Sequence, residues 1–197
     1  MEFIELYDKN LNNNQVGQVL HSTILNIDPQ NRELTKIAVE ALVRTMPLTR
    51  ENFAIEEQRA FIVDGLFKAA EMDDVDIQEK AIEAITEIPF VGYDTIDAMI
   101  HNVGSLTNSL LKTDRYGAIK GAFTFWSNLA EVESKRKKNG NFKNIIGSCL
   151  ESLLGIIFAG LPVTELDFEA DAQQEEIDAE QKYTVMLAAA KMLSEVS

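Results

Sequence analysis

The side chains best suited to catalysis or metal binding are few in this chain and far apart. The two histidines, His21 and His101, are separated by 80 residues, and Cys149 is the only cysteine. No spacing of Cys, Asp or Glu joins the histidines into a metal-ligand set, and neither a phosphate-binding loop nor a nucleophile elbow is present. The sequence therefore predicts no enzyme, no catalytic residue, no metal and no cofactor.

One enzymatic alternative remains open, a hydrolase that uses Cys149 as its nucleophile. A dyad of His101 and Cys149 would need the fold to bring the two side chains together. Both residues stand on apolar helical stripes, and a free cysteine in such a place is usually a buried, inert thiol. A single cysteine also fits a reducing compartment.

Three aspartates alternate around residue 75 as they do in a calcium-binding loop. Asp73, Asp74 and Asp76 are followed by no glycine at the sixth loop position, and Ile85 stands where the twelfth should be Glu. We therefore expect these acids to cap the next helix rather than to hold a metal.

The net charge of the chain limits the kinds of partner that it can bind. The net charge of −14 disfavours nucleic acid and favours basic partners, or serves solubility alone. The longest uncharged run, residues 152–164, is too short to span a bilayer, and the first residues show no secretory signal. Residues 162–181 form an acidic loop without Lys or Arg, in contrast to the basic segment Lys135–Asn141, which we expect to be a hydrated connector, with a nuclear-localisation peptide as the alternative. The acids of the loop are Glu165, Asp167, Glu169, Asp171, Glu175, Glu176, Asp178 and Glu180.

The elements that must position these groups are predicted to be helices. Apolar residues recur at helical spacing, and a small residue precedes a large apolar one by four positions at Ala38, Ala81 and Gly121. These anchors lie 43 and 40 residues apart, the period of two-helix repeats. We expect an all-α, right-handed α-solenoid of about four HEAT repeats in a single domain, 1–197, with units at 14–47, 50–89, 92–131 and 141–197.

The same apolar periodicity predicts several individual helices. The first helix of the second unit is expected to be formed by residues from Phe53 to Ala70, and that of the third to include Ile96 and Met99. Another apolar helix is expected from Phe142 to about Gly160. Residues 2–11 are predicted to be the end of a helix.

Particular motifs in these units resemble the importin-β family of nuclear transport receptors. They are Arg59-Ala60-Phe61-Ile62, Phe125-Trp126-Ser127-Asn128, the linker Leu48–Phe53 and the acidic loop that splits the fourth unit. Their order and spacing are similar to the fifth to eighth HEAT repeats of that family, so the chain is expected to be an internal fragment of a longer receptor. The acids of the acidic loop are more dispersed than the family's run of aspartates. Lys182 or Tyr183 stands near the position where the family has a Trp.

The resemblance implies function in nucleocytoplasmic protein import, in cytoplasm, nucleus and pore complexes of the nuclear envelope. It implies binding of Ran in its GTP form through the acidic loop, and of phenylalanine–glycine (FG) nucleoporins through a groove between neighbouring first helices. Importin-α or cargo would bind mainly through repeats that are absent here, and no nucleic acid or membrane is expected as a partner. The groove residues would be Val19, Leu20, Ile24, Phe61 and Ile62.

The same residues allow plainer interpretations. Five apolar residues on helical stripes are more often ordinary core, although Phe61 and Ile62, being adjacent on a helix, point about 100° apart and cannot both face inward. A block of acids is often a solvated loop. The alternative function is accordingly a HEAT-repeat scaffold or adaptor unrelated to nuclear transport.

Overall fold

The computed structural model describes residues 12–160, and within that range all regular structure is helical, with no strand. The prediction of an all-α chain is confirmed to that extent. Two short 3₁₀ helices, Met46–Leu48 and Tyr93–Ala98, accompany the α-helices. The α-helices are α1 (Asn13–Leu25), α2 (Arg32–Thr45), α3 (Arg50–Ala54), α4 (Glu56–Ala70), α5 (Val75–Ile85), α6 (Ile88–Gly92), α7 (Ile100–Leu110), α8 (Tyr116–Lys137) and α9 (Ile145–Gly160).

The chain divides into two compact units, the first ending at Met99 and the second beginning at Ile100. In the first unit α1 packs on α2 and α4 packs on α5, so each pair forms a helical hairpin. The hairpins then pack side by side, α1 against α4 and α2 against α5. The first unit therefore has two layers of helices. In the second unit both α7 and α9 pack against the long helix α8.

Polar side chains cap three helices of the first unit, α1, α2 and α5. Asn12 forms a capping box with Gln15, its Oδ1 accepting from the Gln15 amide at 3.0 Å and its own amide donating to Gln15 Oε1 at 2.9 Å. Asn31 caps α2, and Asp74 caps α5 by accepting from the Ile77 amide at 3.2 Å. The capping role predicted for the aspartate cluster is confirmed at Asp74.

The core of the second unit includes Phe125, Trp126 and Ser127, three residues of a motif singled out in the sequence. Phe125 and Trp126 are fully buried and meet edge to face, with ring centroids 5.4 Å apart. Trp126 Nε1 donates to Thr107 Oγ1 at 3.0 Å, and that hydroxyl donates to the Val103 carbonyl at 2.8 Å. Because a buried indole needs an acceptor, Thr107 is the side chain that lets Trp126 lie in this core.

Three helix boundaries differ from the sequence-based prediction. The first helix of the second unit is broken at Ile55, which is extended between α3 and α4 (φ −95°, ψ 117°). Ile96 lies in a 3₁₀ helix and Met99 follows it, so both precede α7. Helix α8 continues to Lys137, through the first three residues of the segment predicted as a connector, because Lys and Arg are good helix formers that also suit a helix C-terminus.

The helix expected from Phe142 to about Gly160 begins later than predicted. Helix α9 starts at Ile145, three residues after Phe142, because Asn144 takes a left-handed backbone conformation (φ 58°) that a helix cannot include.

Candidate binding groove

A concavity of about 460 Å³ lies in the first unit, between the facing sides of α1 and α4. That size lies within the range of ligand sites. Its apolar and aromatic lining consists of Leu20 and His21 from α1 and Phe61 and Ile62 from α4. Polar side chains complete the wall, namely Asn13, Asn14, Gln18, Asn52, Glu57 and Gln58.

The two neighbours on α4 divide their roles. Ile62 is 1% exposed and belongs to the floor, whereas Phe61 is half-buried and borders the opening. This is the orientation expected of adjacent helical residues about 100° apart. Leu20, 2% exposed, is the floor residue contributed by α1.

His21 forms the exposed end of the aromatic wall. Its ring stacks on Phe61 with centroids 5.1 Å apart and an interplanar angle of 22°, linking α1 to α4 across the groove. His21 entered the sequence analysis only as a candidate metal ligand. Its place four positions after Gly17, which also lines the groove, was the signal that could have assigned it to the same face of α1.

Two of the five predicted groove residues lie elsewhere. Val19 is half-buried on α1 and does not line the concavity. Ile24 is buried against Gly65 of α4, where an added Cβ would lie 2.6 Å from Ile24 Cγ2. Because only a glycine tolerates this approach, Gly65 brings α1 and α4 together directly beyond the groove.

Asn52 contributes to the wall a buried oxygen atom that is unpaired within residues 12–160. It is 4% exposed, its Nδ2 donates to Gln58 Oε1 at 2.8 Å, and its Oδ1 has no hydrogen-bond partner among the described residues. At the rim, Asn13 Nδ2 donates to the Glu51 carboxylate. The groove thus offers an apolar floor, an aromatic edge and amide groups, which suits an aromatic side chain with its peptide backbone.

The other predictions concern the acidic loop, Cys149, metal binding and membrane spans. The acidic loop, with all eight of its acids, lies outside the described residues. Cys149 is half-buried on α9, its thiol donating to the Ile145 carbonyl at 3.1 Å, and burial raises the pKa of that thiol. Within residues 12–160 no three His, Cys, Asp or Glu side chains gather as metal ligands, and no helix there could span a membrane.

Comparisons with protein families, curated proteins and solved structures each found no match to this chain.

Proposed function

We propose that this chain is part of an importin-β-like nuclear transport receptor, built as a HEAT-repeat solenoid, that binds FG nucleoporins in the groove between α1 and α4. The observation that carries the proposal is the groove itself, with Leu20, Phe61 and Ile62 on one concave surface. The stacking of two helical hairpins, first helix on first and second on second, supports the solenoid.

The groove suits a weak, rapidly reversed contact. A phenylalanine ring would gain about 1.5–3 kcal/mol if the groove buried it completely. Much of that gain is offset by the cost of ordering a flexible peptide. Single contacts would therefore be weak, and useful binding would come from many repeats on one nucleoporin.

The acidic loop carries the second part of the proposal. Its eight carboxylates would attract a basic surface of Ran in the GTP form and accelerate encounter. This contact should weaken with salt, since exposed charges are screened over about 8 Å at physiological ionic strength. Importin-α or cargo would bind through other repeats, and the receptor would work between cytoplasm, nucleus and nuclear pore.

The test is a nuclear magnetic resonance titration of the labelled chain with an FG peptide, using a Phe-to-Ser peptide as the control ligand. We expect shifts at Leu20, His21 and Ile62 with the first peptide alone. Phe61→Ala should abolish them, whereas Phe67→Ala, at another half-buried phenylalanine of α4 outside the groove, should leave them in place.

Absence of shifts at millimolar peptide would remove the nucleoporin assignment and favour the scaffold function. Shifts of equal size with the serine peptide would show that the groove does not recognise the aromatic ring.

A further inference from the structure

The turn between α8 and α9 concentrates positive charge on a chain that is acidic elsewhere. We call Lys135, Arg136, Lys137, Lys138 and Lys143 the basic corner. Arg136 is half-buried and the four lysines are exposed. Residues 100–160 hold eight Lys and Arg against four Asp and Glu, whereas residues 12–99 hold seven against sixteen.

The backbone of this turn is closed by hydrogen bonds. Gly140 has a positive φ of 69°, its amide donates to the Lys137 carbonyl at 3.1 Å, and the Asn141 amide donates to the Arg136 carbonyl at 3.2 Å. These two bonds are the pattern of a Schellman motif, which ends a helix in one defined geometry. The lysines therefore project from a fixed turn.

Two side-chain contacts hold the far side of the turn. Glu133, 6% exposed, accepts from the amides of Ile145 at 2.8 Å and Ile146 at 3.0 Å, and so joins α8 to the start of α9. Lys137 Nζ lies 5.9 Å from the centroid of the Phe142 ring. The corner thus combines a preorganised backbone with an aromatic ring that is 37% exposed.

Helix stabilisation accounts for only part of this charge. Lys135, Arg136 and Lys137 occupy the last turn of α8, where cations favour the helix dipole, and Lys135 also pairs with Glu131. Lys138 is the C-cap residue of α8, where the dipole still favours a cation, whereas Lys143 lies five residues beyond it. The five basic residues together leave an excess of positive charge beside an apolar ring.

We propose that the basic corner binds an acidic peptide segment of a partner protein, with carboxylates on the lysines and an apolar side chain on Phe142. A short peptide suits the surface better than nucleic acid or an anionic membrane, because those extended polyanions would also meet the field of a chain with net charge −14. Within about 8 Å of the corner, a carboxylate is attracted by the basic residues more strongly than it is repelled by the more distant acids, because salt screens the latter. The inference does not depend on the proposed transport function.

The test uses the full chain and a fluorescein-labelled peptide of Glu residues around one Phe, with its Gln counterpart as control, followed by fluorescence anisotropy. We expect the Glu peptide alone to bind, more weakly at high salt. The double variant Lys138→Glu/Lys143→Glu should raise Kd about tenfold or more, equal to about 1.4 kcal/mol. The neutral variant Lys138→Gln/Lys143→Gln should lose less.

The matched control is Lys112→Glu/Lys120→Glu, which makes the same charge change at exposed lysines of the same unit. Lys120 lies 17 residues before Lys137 on α8, about 26 Å along the helix. Equal losses in the two double variants would overturn the proposal, since binding would then follow net charge. Binding of the Gln peptide, or tighter binding of a single-stranded oligonucleotide of equal charge, would overturn it as well.

Discussion

Gly140 shows how one residue can fix a helix end. Its φ of 69° is open to glycine at little cost, and an added Cβ would meet no atom within 4 Å. Gly140→Ala should therefore lower the free energy of unfolding by about 1 kcal/mol through backbone conformation alone. Urea unfolding would measure this change.

Gly104 provides the matched control, since it lies inside α7 with open space around it. Gly104→Ala should raise stability by about 0.5–1 kcal/mol. If both alanines act in the same direction, the Schellman geometry is not what sets the effect at Gly140.

The half-buried thiol of Cys149 should make the stability of the protein fall as the pH rises. Burial raises the pKa of its thiol, and the charge of Glu133 raises it further, against a lowering by a backbone hydrogen bond. The unfolded thiol therefore ionises first as the pH rises. The Cys149 contribution to stability should be complete below the ordinary thiol pKa, about 8.5, and decline above it.

Cys149→Ser should remove this part of the pH dependence. The measurement is the difference in unfolding free energy between the two proteins from neutral to alkaline pH. A difference that stays constant across the range would contradict the assignment. Native alkylation as fast as that of the unfolded chain would instead revive the reactive-cysteine alternative.

At the scale of elements, one carboxylate joins two helices. Glu133 on α8 accepts from the first two amides of α9, which would otherwise be buried donors without an acceptor. Glu133→Ala should destabilise the chain by about 2–4 kcal/mol, and Glu133→Gln by less, since it keeps one acceptor oxygen.

Hydrogen exchange at Ile145 and Ile146 would locate the effect. Glu131→Gln is the comparison, because Glu131 pairs with an exposed lysine on the same helix, and its loss should cost under about 1 kcal/mol. Unchanged protection at both amides in Glu133→Ala would argue against the bridge.

The contact between α1 and α4 sets the separation of these helices. Gly65→Ala would place a Cβ 2.6 Å from Ile24 Cγ2, an overpacking that should cost about 1–3 kcal/mol. In a double-mutant cycle with Ile24→Ala, the new methyl group should recover part of the loss, with a coupling of about 1 kcal/mol. Additive effects would place the strain elsewhere.

The helical period predicted which segments are helices but not how they are interrupted. Ile55 is apolar and fits a continuous pattern, so its extended backbone between α3 and α4 has no compositional signal. The polar run from Lys135 looks like a loop, yet its residues are good helix formers and extend α8. Similarly, Leu20 and Ile24 share one face of α1, and only the glycine opposite Ile24 separates a groove residue from a packed one.

At the scale of the whole molecule, the division into two units gives the sole tryptophan a particular use. Trp126 and its hydrogen-bond partner Thr107 both lie in the second unit. We expect Glu133→Ala to lower the urea midpoint reported by Trp126 fluorescence, and Gly65→Ala to leave it nearly unchanged. Circular dichroism should report both variants, and equal fluorescence shifts would show that the two units unfold as one.

The Glu133 bridge also imposes an order in time. The acceptor for the first amides of α9 lies on the fifth turn of α8, a helix of 22 residues. Until α8 has formed to that point, α9 has no carboxylate at which to nucleate, and starting a helix is its most costly step. Helix α9 should thus join the folded structure after α8, so mutations at its start would speed unfolding more than they slow folding.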